Sequence, residues 1–219
     1  IFKAQQCSLG KLLTQASRFR IRKIKIADDG SNSLAIKASK NLSELLKNLE
    51  YEGTLRKSNS NQLDIHFDEA LLKKLKTQGW PYSENPKIDL SALGENWGNQ
   101  RSDCITTPIN MENHCIVVEI EKANKKTLWF DFIKLWMFIE AKQAKACILL
   151  CPLNYSHKHG IWNLFDEACN YKKYLGRFAG VPKEKLDLLS IIGYEQMIYM
   201  DNKFIVWNAT QFNKIKRSA

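Results

Sequence analysis

The stretch Arg101–Trp136, RSDCITTPINMENHCIVVEIEKANKKTLWFDFIKLW, constrains this chain most. Its centre, Cys115 to Lys122, is apolar and β-branched and reads as a buried strand. Ala123–Asn124–Lys125–Lys126 is a polar connection. Thr127 to Gln143 then reads as a helix with Leu128, Trp129, Phe132, Leu135, Trp136 and Ile139 on a broad apolar surface. Lys145 to Pro152, KACILLCP, follows as a second buried strand. Strand, helix, strand in this order requires a right-handed crossover and a parallel pair. The chain is therefore expected to be α/β.

The first of these strands carries acid. Side chains alternate along a strand, so Glu119 and Glu121 face one way and Val118, Ile120 and Lys122 the other. Two neighbouring carboxylates repel and are costly to bury. A divalent cation held by Glu119, by Asp103 sixteen positions earlier, and by water would offset that cost. The carboxylates end an apolar run just before a helix, where α/β folds gather ligands. The alternative is a wet strand face, with Glu119, Glu121 and Lys122 as solvated surface charge.

Before this segment, residues 1–17 read as a short helix or arm contacting the fold through Leu9, Leu12 and Leu13. Ser17 to Ile26 alternates with period two and is expected to be a strand, with Arg18, Arg20 and Arg22 on one face. Three guanidiniums in a row suit a phosphate backbone; basic side chains also protect edge strands from aggregation. Asp28 to Ser33 has turn composition. Leu34 to Lys37 is expected to return as a strand, and Leu42 to Leu49 to form a helix. Residues 57–62 read as a loop and Phe67 to Thr77 as a helix stopped by Gly79–Trp80–Pro81. Residues 82–100 read as a loop with at most one helical turn, in which Glu84, Asp89 and Glu95 are further acidic candidates.

After the second buried strand, Asn154 to Gly160 reads as a loop in which His157 and His159 either hold a metal or are simply exposed. Ile161 to Phe178 reads as a helix broken by Gly180–Val181–Pro182. Leu186 to Tyr194 is expected to be a strand. Gln196–Met200 and Phe204–Trp207 around Asp201–Asn202–Lys203 predict a hairpin. The basic tail, Lys214 to Arg217, is expected to fray.

The formal net charge is +10, which points to a polyanionic partner, nucleic acid first, or else to plain solubility. The 219 residues fit a single domain, with a core at about 67–152 and additions at 1–66 and 153–219. Apolar runs are too short to span a bilayer and no secretory pattern opens the chain, so no membrane role and a cytoplasmic location are expected. None of the six cysteines lies in a CxxC pair, which leaves them as buried reduced thiols without zinc spacing. Cys104, beside Asp103, is either a packed or a reactive thiol.

Asp103, then Val118–Glu119–Ile120–Glu121, then the Thr127 helix and the Lys145 strand, resemble the PD-(D/E)XK nuclease superfamily. With Glu121 where most members carry Lys, the pattern is similar to the BamHI/BglII branch of type II restriction endonucleases. The helix ending at Gly79–Trp80 and the helix carrying Asp131 and Lys134 are similar too. The resemblance covers roughly 67–152. It implies a central mixed β-sheet flanked by helices, restriction-endonuclease-like. It also implies Mg²⁺-dependent hydrolysis of double-stranded DNA by a homodimer, with no small-molecule cofactor. On this pattern Asp103, Glu119 and the Ile120 carbonyl would hold the metal, and Glu121 would orient or deprotonate the attacking water. Nucleic-acid contacts would come from Arg18, Arg20, Arg22, Lys125 and Lys126. Two departures stand out. Ser102 replaces the usual Pro before the Asp, and the strand Lys is missing, with Lys122 next to its place on the opposite strand face. A non-catalytic basic DNA-binding protein is the alternative, and an assembly protein with merely solubilising charge is a third. Within the helix, Asp131 and Lys134 lie three apart and can pair.

Overall fold

The computed structural model describes residues 17–27, 34–55, 63–91, 100–111, 113–121, 127–157, 160–208, 210–211 and 214. Expectations for residues 1–16, 28–33 and 57–62, and for Glu95, Lys122, Lys125, Lys126, His159 and the tail beyond Lys214, lie outside the described residues.

Asp103 and the glutamates belong to a mixed sheet. The strand β1 (Ser17–Ile26) pairs antiparallel with β2 (Glu50–Leu55), which pairs with β3 (Leu63–Ile65). On its other side β1 pairs antiparallel with β10 (Leu189–Met200), and β10 lies parallel to β7 (Ala146–Pro152). Next, β7 lies parallel to β6 (Ile116–Ile120). The antiparallel strands β5 (Cys104–Thr106) and β4 (Tyr82–Glu84) complete the order β3-β2-β1-β10-β7-β6-β5-β4. A further strand, β11 (Lys203–Val206), closes the expected hairpin on β10. This is the expected α/β architecture, a central mixed sheet with helices on both faces, and the parallel β6–β7 pair is the one the apolar runs predict.

Helices α1 (Leu34–Leu46) and α2 (Phe67–Thr77) cover one face. There Phe19, Leu42, Leu46, Tyr51, Leu71 and Leu75 pack with Val118, Ile120 and Tyr194. Phe67 stacks on Tyr194 at 4.7 Å between ring centroids. Helices α3 (Leu128–Glu140) and α4 (Leu164–Phe178) cover the other face, packing Phe132, Leu135, Phe138, Leu164 and Ala168 on Val117, Cys147 and Leu149. A short α5 (Lys183–Leu186) precedes β10.

Several boundaries depart from expectation. Leu34 to Lys37 is not a strand but the start of α1, because Ala35, Ala38, Leu42, Leu45 and Leu46 form one buried helical stripe. That helix ends before Leu49, where Asn48 takes a positive φ of 57° and breaks the run. Tyr82 to Glu84 is an edge strand within the segment read as loop. Two short strands, β8 (Tyr155–His157) and β9 (Gly160–Trp162), pair antiparallel where a loop and the start of a helix were expected. Helix α4 therefore starts at Leu164, where the Asn163 side chain accepts from the Asp166 N–H at 3.1 Å. Finally, Leu189 to Met200 is one long strand. Gly193 lets it pass close beneath α4, since a Cβ there would sit 2.6 Å from the Phe165 ring.

Candidate active site

The ladder between β5 and β6 places Cys104 opposite Val118. One residue beyond that pair the chain bends, and the Asp103 side chain takes over from the backbone. Its Oδ2 accepts the Ile120 N–H at 2.6 Å. Asp103 is thereby fixed at the carboxyl end of β6, beside Glu119. An ionised carboxylate accepting a backbone N–H is a strong, directional contact.

Glu119 and Glu121 project to the α3 side, as alternation requires, while Val118 and Ile120 enter the opposite core. Both glutamates are buried, at 7% and 8% exposure. The wet-face alternative is thus not what the fold has. Buried carboxylates need partners, and α3 supplies them. Lys134 Nζ forms a close ion pair with Glu119 Oε1 and reaches Asp131 Oδ1 at 3.3 Å. It also donates to the Arg101 carbonyl at 3.3 Å. Ser102 Oγ donates to the other Glu119 oxygen, Oε2, and lies 3.2 Å from the Val118 carbonyl. Thr127 Oγ1 donates to Glu121 Oε2 at 2.5 Å. Asp131 lies within hydrogen-bonding reach of Glu121, which adds to the upward push on its carboxyl.

The electrostatics follow from this crowding. Burial first, and then Glu119, push the Asp131 carboxyl up to about 7; Lys134 opposes this but is outweighed. Burial disfavours the Lys134 charge, yet Glu119 and Asp131 overcome it and raise the ammonium above its ordinary value. Lys134 is therefore a buried ammonium held in its charged form by Glu119 and Asp131. Burial, with Asp103 adding, lifts the Cys104 thiol to about 12, so Cys104 is a packed thiol and not a nucleophile.

The remaining acidic candidates separate. Glu84 lies across from Cys104 on the edge strand β4. The Asp89 carboxylate accepts from the Ser91 N–H, and its own N–H donates to Gln143, which follows the far end of α3. Asp89 is thus away from the glutamates. His157 ends β8; Glu95, His159, Lys122, Lys125 and Lys126 are not among the described residues.

Arg18, Arg20 and Arg22 are on β1, and all three are paired. Arg18 Nη2 reaches Glu50 at 3.0 Å, and Arg20 binds the same carboxylate through Nε at 2.9 Å and through Nη2. Arg22 Nε reaches Glu195 at 3.5 Å across a bulge between Ile21 and Lys23. Arg20 also lies over the Phe204 ring at 4.0 Å. Phe19 and Ile21 enter the α1–α2 core, so Arg18 and Arg20 stand on the face that carries Glu119. Ile120 is level with Leu150, and Leu150 with Ile192. Arg20 pairs with Met197, five residues further on. Five residues and three strand spacings put Arg20 roughly 20 Å from the glutamates, at the same end of the sheet.

Among the described residues no three of His, Cys, Asp and Glu gather into a ready cation cage. The donor chemistry nonetheless suits Mg²⁺, which takes one or two carboxylates and keeps several waters. A carboxylate oxygen that accepts one hydrogen bond retains a second lone pair. Glu119, held by Ser102 and Lys134, and Asp103, held by Ile120, therefore keep ligating capacity.

Sequence reasoning did not find Ser102, Thr127 or the full role of Lys134. The Ser at the expected Pro position was the available signal for Ser102. The Asp131–Lys134 spacing signalled their pairing but not the reach of Lys134 to Glu119.

Fold and site together define an α/β protein with a buried carboxylate–ammonium cluster at the carboxyl end of a parallel strand pair. No family model matches the chain, and no curated protein matches it. Among solved structures it is similar to the crystal structure of free BglII, at 12% identity and a TM-score of 0.44, over 85% of this chain and 100% of that one. Among the described residues no helix is long and apolar enough to cross a membrane.

Proposed function

We propose that this chain is a Mg²⁺-dependent endonuclease hydrolysing phosphodiesters of double-stranded DNA, of the sequence-specific type II restriction kind, acting as a homodimer. The observation that supports this reading is the hydrogen bond from the Ile120 N–H to Asp103 Oδ2, which ties Asp103 to the residue that follows Glu119, with Glu121 on the same strand face as Glu119.

Asp103, Glu119 and the Ile120 carbonyl would hold the ion. Mg²⁺ bound there supplies a water of lowered pKa and neutralises charge on the phosphate. Glu121, held by Thr127, takes the proton of the attacking water. Lys134 keeps one positive charge beside Glu119 before substrate arrives. Arg18 and Arg20, on the same face and at the same end of the sheet, contact phosphates roughly six base pairs from the cut. A two-fold dimer would place two such sites on a two-fold DNA sequence.

The test is cleavage of supercoiled plasmid in Mg²⁺ and in chelator. Wild type is expected to give discrete fragments in Mg²⁺ only. Glu119→Ala is expected to bind DNA but leave it intact, and persisting cleavage would overturn the assignment. A second reading, DNA binding without cleavage, is favoured by one observation: Lys134 already pairs with Glu119. Retarded but intact plasmid in both Mg²⁺ and Mn²⁺ selects that reading.

A further inference from the structure

Glu119 and Glu121 are the two groups on which the proposed chemistry depends, and neither is set by its own strand alone. Each is gripped from α3, and the two grips meet. Lys134 Nζ sits between Glu119 Oε1 and Asp131 Oδ1, and Asp131 lies within hydrogen-bonding reach of Glu121. The Lys134 stem leaves α3 under the Phe130 ring, with Nζ 5.8 Å from the ring centroid. The Arg101 carbonyl takes a further ammonium proton and Ser102 closes on Glu119 from the β5 side. Every charge in this group is buried.

We propose that Lys134 is a positioning residue for the acidic site: it holds Glu119 directly and Glu121 through Asp131, so that α3 sets both carboxylates for metal and water. This rests on the nuclease reading of the site. The sequence places Glu121 where the resembling family carries Lys, and among the described residues the ammonium beside Glu119 comes instead from a helix. An ammonium fixed by two carboxylates and a carbonyl is pre-organised, so little reorganisation accompanies the arrival of substrate. Its loss leaves Glu119, Glu121 and Asp131 crowded together without the ammonium that pairs with Glu119 and Asp131. A divalent ion then becomes the group that can neutralise them.

The experiment uses the full chain and four variants: Lys134→Met, Lys134→Arg, Asp131→Asn and the double Lys134→Met/Glu119→Gln. Three quantities are measured, namely steady-state plasmid cleavage, DNA affinity in chelator, and thermal midpoint in chelator and in Mg²⁺. Lys134→Met is expected to lower kcat about 100-fold or more, the scale of a small misplacement of reacting groups. KM and chelator DNA affinity should stay within about two-fold, as expected for a group that orients but does not bind. Lys134→Arg, which keeps the charge, should recover part of kcat. Asp131→Asn should lose less than Lys134→Met, since Glu119 keeps its own ion pair.

The midpoints separate positioning from mere packing. The Lys134→Met midpoint should fall in chelator and recover in Mg²⁺ by more than the wild-type midpoint rises. The double variant should regain more than half of the loss without metal, because its buried charge is removed. The proposal is overturned if Lys134→Met cleaves at the wild-type rate. It is equally overturned if its midpoint falls alike with and without Mg²⁺ and the double variant is as unstable as the single. Should wild type cut no DNA in any metal, the nuclease reading falls, and the midpoint arms still decide whether Lys134 holds the glutamates.

Discussion

One face of the sheet carries two clusters of paired charge, and they differ in what water can reach. On β1, Arg18 and Arg20 share Glu50, and all three side chains are well exposed, at 53%, 37% and 39%. Under α3, Lys134 joins Glu119 and Asp131 where none of the three side chains exceeds 10%. The pairing chemistry is the same. Water screens the first cluster and lets its partners exchange, so each pair contributes about 0–1 kcal/mol. The second is desolvated: it adds little net stability as a whole but is costly to break on one side. An exposed pair can be given up to a phosphate, whereas a buried pair fixes geometry. This suits the arginines to nucleic-acid contact and Lys134 to setting a site.

The clusters also answer pH in opposite directions. The Glu50 carboxyl is held below its usual range by hydrogen bonds from Arg20 and then Arg18, so what it contributes is present above its unfolded value and lost as pH falls. Asp131 is held above its usual range, so the native state takes up a proton that the unfolded chain releases. That contribution is complete at low pH and lost as pH rises through about 7.

Breaking the buried cluster should have the largest effect. Lys134→Met is expected to cost about 3–5 kcal/mol in metal-free buffer, measured by urea unfolding, since it strands Glu119 without its counter-ion. A cost below 1 kcal/mol would place Lys134 with the exposed pairs and erase the contrast. Next comes pH. Between about pH 4 and pH 7, Asp131 should lower wild-type stability by at most about 1.4 kcal/mol per pH unit as pH rises. In Asp131→Asn that slope should disappear, shifting the balance toward the variant at pH 8 relative to pH 5. An unchanged slope would mean that Asp131 ionises normally. Ser102→Ala should cost about 1.5–3 kcal/mol, the range of a hydrogen bond to a charged group. It should also slow cleavage, and a neutral result would make the Ser102–Glu119 contact incidental. Smallest in stability is Arg20→Ala, at about 1 kcal/mol or less. The same change should weaken DNA binding and flatten its dependence on salt. Unaltered salt dependence would return these arginines to protecting the sheet.

Much of the frame was legible from local pattern. The β-branched run at 116–120, the apolar run at 146–152 and the Phe67 and Leu128 helices each announce themselves through periodicity and stop signals. The β10–β11 hairpin shows in the Asp201–Asn202 turn, where both residues take positive φ. The start of α1 was hidden because Leu34 to Lys37 is too short to reveal its period alone. The β8–β9 hairpin was hidden because its strands are three residues each and, among the described residues, pair only with each other. At the site, the alternation of Glu119 and Glu121 and the i, i+3 pairing of Asp131 with Lys134 were readable, being properties of one strand and one helix.

The sequence by itself determined the face that Glu119 and Glu121 take on their strand and that Asp131 and Lys134 take on their helix, because side-chain direction follows from the period of strand and helix. Only the tertiary structure decided that the Asp103 carboxylate would replace a backbone rung at Ile120, that Ser102 would turn onto Glu119, and that Lys134 would cross from α3 to the same carboxylate. Those contacts join residues 15 to 17 positions apart in different elements. Their existence depends on how closely α3 packs on β6 and where β5 ends, which no local pattern encodes.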